Sequence, residues 1–115
     1  MGFEGVIDEA VRVLKELGAS RVVKRGKGDC VILAAEYPED VVLVAVSRGS
    51  YGSLAVAKVV PSMKAGSVPW VCEYLDYVPH GLYAVIKSLG DVRVKLGRKV
   101  WLVREYVKGL TAGQR

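Results

Sequence analysis

The last third of the chain crowds six cations, Arg93, Lys95, Arg98, Lys99, Arg104 and Lys108, around Trp101 and Tyr106, with Glu105 as the one acid between them. Cations neutralise phosphates, and ring faces stack on unpaired bases at roughly 1–3 kcal/mol per base. The chemistry this spacing suits is the holding of a single strand rather than the making or breaking of a bond. Arg21, Lys24, Arg25 and Lys27 form a second acid-free cluster. The stretch Arg48-Gly49-Ser50-Tyr51-Gly52-Ser53 adds a cation and a ring on a glycine-rich backbone, and Trp70 and Tyr74 fall on one face of an expected strand. The candidate nucleic-acid contacts are therefore Arg48, Tyr51, Trp70, Tyr74, Arg93, Lys95, Arg98, Lys99, Arg104 and Tyr106.

Catalytic patterns are missing by the same reading. The single histidine, His80, stands in Pro79-His80-Gly81 with no partner set for a triad. Lys24-Arg25-Gly26-Lys27-Gly28-Asp29 has the glycines of a tight turn but not the strand-to-helix setting of a phosphate loop. Cys30 and Cys72, the two cysteines, lie in apolar surroundings that suit buried thiols better than metal ligands, and would pair only where a cytosol tolerates disulfides. No enzyme activity, catalytic residue, metal or cofactor is expected.

The elements that must position these groups follow from periodicity. Phe3, Val6, Ile7, Ala10, Leu14 and Leu17 recur at helical spacing, with Gly18 as the stop. Short Val-rich strands are expected at Arg21 to Arg25, Cys30 to Glu36 and Val41 to Ser47. Leu54 to Val60 reads as a strand because Pro61 would lie deep inside a helix there. Val68 to Val78 reads as a further strand, and Leu82, Val85, Ile86 and Leu89 as a second amphipathic helix. Val92 to Arg104 reads as a hairpin turning at Gly97-Arg98. That hairpin pairs Val94 with Trp101, making Trp101 core, and puts Arg93, Lys95 and Arg104 with Val100, Leu102 and Tyr106 on an outer basic face. The expected fold is α+β, a largely antiparallel sheet carrying two amphipathic helices, as one domain over 1–110 with a disordered tail at 111–115.

Composition bounds the rest. At 115 residues and a formal net charge of +5, with 51% hydrophobic residues, one domain with a basic surface and leftover apolar area is expected. That surplus points to a homo-oligomer, a dimer or tetramer, joined through a sheet edge or face. The longest strictly apolar run, Val41 to Val46, is too short to span a bilayer, and the start of the chain has no secretory pattern, so a cytoplasmic protein without membrane contact is expected.

Two families share this layout. Helix, strand, Gly28-Asp29 and apolar strand, over roughly Phe3 to Ser47, resemble the PD-(D/E)xK nucleases of the Holliday-junction resolvases and, more loosely, the tRNA-splicing endonucleases. The resolvases carry a Glu and a Lys on the strand after the Asp, where this chain has Ala45 and Ser47, so that resemblance implies a catalytically inactive structural or interaction subunit of a nucleic-acid-processing complex. Size, basic charge, Val-rich strands, the first helix and cations interleaved with Trp and Tyr are similar, across most of the chain, to ThermoDBP and its related proteins, which bind single-stranded DNA in thermophilic archaea. This second resemblance implies sequence-independent ssDNA binding, DNA favoured over RNA, by an assembly of several copies without a cofactor.

Overall fold

In the computed structural model of the chain, residues 2–38, 40–49, 52–62 and 82–113 are described. Helix α1 (Phe3–Glu16) forms because Phe3, Val6, Ile7, Ala10, Val13 and Leu14 fall on one stripe, and all six are buried. Gly18 ends it at φ 106°, where its N–H bonds to Lys15 O and that of Ala19 to Leu14 O. This pair of bonds is the left-handed stop that glycine adopts without a Cβ penalty.

Five strands follow: β1 (Arg21–Lys27), β2 (Cys30–Glu36), β3 (Val41–Arg48), β4 (Ala55–Ser62) and β5 (Leu82–Ile86). They pair in sequence order, every pair antiparallel, so the α+β expectation holds as a meander with helices. The β1–β2 turn needs Gly26, at φ 105°, since a Cβ there would lie 2.8 Å from Cys30 O. Ala55 to Val60 lies in β4, with Leu54 just before the strand and Pro61 opposite Val42 one residue before it ends.

The C-terminal part departs from expectation. Leu82 to Ile86 is a strand, not a helix: Ala84 and Ile86 are buried while Tyr83 and Val85, which alternate with them, are exposed, a period of two. The Val92 to Arg104 hairpin does not form. A helical turn (Leu89–Asp91) passes through a π-helical segment (Val92–Leu96) into helix α2 (Gly97–Gly113). Gly97 is helical at φ −55°, ψ −43°, not a turn residue. Val92, Leu96, Val100, Val103 and Val107 are buried at steps of four, four, three and four, and that spacing, not the local alternation, decides the structure. Helix α2 also takes in Thr111 to Gly113, where a disordered tail was expected.

Both helices cover one face of the sheet. Their stripes meet Val31, Leu33 and Ala35, Val42, Val44 and Val46, Ala57 and Val59, and Ala84 and Ile86 in one core. The other face holds a second buried cluster, Ile32, Ala34, Val41, Leu43, Ala45 and Val60, to which no described helix contributes. Cys30 is disulfide-bonded, not a free thiol; the only other cysteine, Cys72, lies outside the described residues. The expected Val68 to Val78 strand also lies outside them. No helix among the described residues is long and apolar enough to cross a membrane.

Candidate nucleic-acid interface

The cations picked out in the sequence sort into two groups once their partners are known. Arg104 lies over the Tyr37 ring, 3.8 Å from its centroid, and its Nε is 3.4 Å from both carboxylate oxygens of the buried Asp40. Tyr37 in turn donates its hydroxyl hydrogen to Leu14 O at 3.3 Å. Burial pushes the Tyr37 phenol up to about 12, against the opposing effect of the Arg104 charge. Arg104 is thus a clamp joining α2 to the β2–β3 turn.

Arg93 donates from both terminal guanidinium nitrogens to the two carboxylate oxygens of Glu16 at the end of α1. Those bonds hold the Glu16 carboxyl below, and the Arg93 guanidinium above, their ordinary ranges. Lys95 lies 3.6 Å from Asp91 and donates to Val85 O at 3.4 Å, tying the π-helical segment to β5. Asp91 also accepts the Lys87 backbone N–H at 2.9 Å, the main cause of its lowered pKa. Arg48 bonds Asp29 at 2.8 Å and lies over the Phe3 ring, joining β3 to the β1–β2 turn and the start of α1. Four of the expected contacts, Arg48, Arg93, Lys95 and Arg104, therefore have acidic partners inside the fold.

Arg98 and Lys99 are different: neither has an acidic partner among the described residues, while the other α2 cations, Arg104 and Lys108, pair with Asp40 and Glu105. Trp101, expected in the core, is 57% exposed. Helical spacing puts Arg98, Trp101 and Glu105 on one stripe, away from Val100, Val103 and Val107. Of the six large apolar or aromatic side chains exposed among the described residues, Tyr83, Val85, Val94, Trp101 and Tyr106 belong to β5 and the C-terminal helical segment. The sixth is Leu17, just past α1. The cations and rings first grouped on a strand face thus stand on a helix, and the basic sheet face assigned to Arg93, Lys95 and Arg104 does not exist. Tyr51, Trp70 and Tyr74 lie outside the described residues.

Sequence reasoning missed two residues on the sheet face to which no described helix contributes. Lys58 of β4 is 6% exposed, and its Nζ lies 5.2 Å from the centroid of the Tyr83 ring on β5. The available signal was one charge inside the apolar run Ala55-Val56-Ala57-Lys58-Val59-Val60.

A cavity of about 440 Å³ opens between the start of α1 and the β1–β2 hairpin, lined by Phe3, Glu4, Ile7, Asp8, Lys24, Gly26, Gly28 and Val31. Its carboxylates face the same space as Lys24, which does not suit a phosphate cradle. Among the described residues no group of three His, Cys, Asp or Glu could hold a metal ion. No protein-family model, curated protein or solved structure matches the chain.

Proposed function

We propose that this protein binds single-stranded nucleic acid without sequence preference, through the outer stripe of α2 and the adjoining β5 edge. The observation that carries the reading is Trp101, more than half exposed on a helix whose acid-free cations, Arg98 and Lys99, lie within three residues of it. A large ring held in water contributes little to the core, whereas an unpaired base stacked on it gains roughly 1–3 kcal/mol. Paired bases offer no free face, so single strands are preferred to duplex. The resemblance to the ThermoDBP-related proteins favours DNA over RNA. The antiparallel meander of the described strands, with Ala55 to Val60 in β4, fits this reading better than the nuclease-like alternative, which calls for a parallel crossover.

Fluorescence anisotropy with labelled single-stranded DNA, single-stranded RNA and duplex tests it. Micromolar or tighter binding to the single strand at low salt is expected, weakened roughly 10-fold or more by Trp101→Ala. Equal binding by wild type and Trp101→Ala, or a preference for duplex, removes the reading.

Assembly belongs to the same proposal. The β1 edge carries Arg21, Lys24 and Arg25, charges that discourage strand addition, while Leu82–Ile86 at the β5 edge carries none. Pairing of copies through β5 would place two α2 stripes on one strand. Light scattering coupled to size exclusion decides this, and a 12.4 kDa monomer at tens of micromolar would remove it.

A further inference from the structure

Nine acids lie among the described residues, and seven of them form ion pairs with cations of the fold. The two that do not, Glu4 and Asp8, both line the cavity of about 440 Å³ between α1 and the β1–β2 hairpin. Lys24, the cation among its described lining residues, also stands outside every described ion pair. The fold thus answers its other described carboxylates internally and leaves charges of both signs open in this one cavity. The sheet register explains the placement. Lys24 stands opposite Leu33 and Gly26 opposite Val31, so these four share the sheet face that the helices cover. Gly26, which the hairpin turn requires, adds no side chain there. Phe3, Ile7 and Val31 are buried and make an apolar floor, while Glu4 and Asp8 stand one turn apart on α1 and Lys24 stands on β1. Arg48, bonded to Asp29 and lying over the Phe3 ring, joins the hairpin wall to the helix wall, so both walls are fixed before a ligand arrives.

We propose that this cavity binds a small zwitterion with an apolar body, of the class of a free amino acid with a large apolar side chain. The ligand ammonium goes to Glu4 and Asp8, its carboxylate to Lys24, and its side chain to the floor of Phe3, Ile7 and Val31. The proposal is independent of strand binding by α2. The volume suits it, since pockets for small molecules run from roughly 300 to 1,000 Å³. The charges select the ligand by what they reject: an anion alone meets two carboxylates, and an amine alone leaves Lys24 facing a like charge. A molecule carrying both groups satisfies each with a charge-assisted hydrogen bond. Exposed ion pairs contribute little by themselves, so the buried floor supplies most of the affinity and the charges supply the choice.

The test uses the full chain as wild type, Lys24→Met, and the double variant of Glu4→Gln and Asp8→Asn. Titration calorimetry and thermal melting are read with L-phenylalanine, glycine, phenethylamine and hydrocinnamate, so that the apolar body, the carboxylate and the ammonium are each removed in turn. L-phenylalanine is expected to bind the wild type with a Kd below about 1 mM and to raise its melting temperature. Each of the other three should bind roughly 10-fold more weakly or worse. The double variant should lose L-phenylalanine, and Lys24→Met should bind it no better than phenethylamine. All three positions are exposed, so the variants should melt as the wild type does without ligand. If a variant does not fold, the ranking of the four probes on the wild type decides alone.

No response of the wild type to any of the four probes overturns the proposal. Unchanged L-phenylalanine binding in the double variant overturns it as well, because the carboxylates would then be solvated bystanders. Phenethylamine bound as tightly as L-phenylalanine would make this an amine site, and hydrocinnamate bound most tightly would make it an anion site; either result removes the zwitterion. Glycine bound as tightly as L-phenylalanine would remove the apolar floor from the site.

Discussion

Helices α1 and α2 lie on the same face of the same sheet and treat their side chains differently. Helix α1 buries Phe3, Val6, Ile7, Ala10, Val13 and Leu14, and its one exposed large apolar neighbour is Leu17, beyond its end. Helix α2 buries Val100, Val103 and Val107 but turns Trp101 to solvent and keeps Arg98 and Lys99 free of described acids. One helix closes the core; the other closes it and also displays a ring and cations the fold does not use. Stability and strand binding should therefore separate along α2 and coincide nowhere on α1.

The largest effect is expected where α1 is most buried. Leu14→Ala leaves a cavity at a fully buried position and should cost about 3–4 kcal/mol by urea unfolding, with oligonucleotide affinity unchanged for the fraction that stays folded. A loss of affinity in the folded fraction would blur the contrast between the helices. Within α2 the contrast is sharper. Arg104→Ala strands the buried Asp40 carboxylate and uncovers the Tyr37 ring, so about 3 kcal/mol of stability should go, while the double variant of Arg98→Ala and Lys99→Ala should stay within about 0.5 kcal/mol of wild type. The double variant should instead flatten the dependence of log affinity on log salt by about 1.4, the slope for two phosphate contacts on a single strand.

The tie between the helices can be titrated. The Tyr37 folded-state pKa is raised to about 12 from an ordinary 10, so its contribution is complete below pH 10 and is lost as pH rises towards 12. Tyr37→Phe, which gives up the bond to Leu14 O, should be about 1 kcal/mol less stable at pH 7. Its deficit should shrink and then reverse between pH 10 and 12, by roughly 2 kcal/mol in all, read from chemical denaturation at each pH. The smallest effect is Gly97→Ala. A Cβ there would meet Val13 Cγ1 at an ordinary 3.7 Å, and a helical glycine replaced by alanine should raise stability by about 0.5–1 kcal/mol.

Local pattern made α1 and the first four strands readable: α1 carries one helical period over its length, and β2 and β3 are unbroken apolar runs, buried along nearly their whole length, with a Gly or Pro near their boundaries. The C-terminal third fits two periods at once. Val92, Val94 and Leu96 alternate, yet Val92, Leu96, Val100 and Val103 also recur at helical steps, and the arbiter is a core built by α1 and β3 to β5, which no local window contains. The site was legible as a segment and not as a surface. Arg98 and Lys99 stood out by charge, Trp101 was expected in the core, and Arg93, Lys95 and Arg104 looked the same as Arg98 and Lys99 until Glu16, Asp91 and Asp40 were brought against them. Lys58 and Tyr83 lie 25 positions apart and become neighbours only through the β4–β5 register.

The π-helical segment also fixes an angle. An α-helix advances about 100° per residue, so each four-residue step overshoots a full revolution by about 40°. The wider turn over Val92–Leu96 reduces that overshoot, keeping Val92 in phase with Leu96, Val100, Val103 and Val107. With the inner azimuth pinned in this way, the direction in which Trp101 leaves the helix is pinned as well. Deleting one residue from Val92–Leu96 would swing α2 by about 100° relative to Leu89–Asp91, carrying Trp101 out of its outward position. The property that variation must preserve in this segment is its length more than its composition.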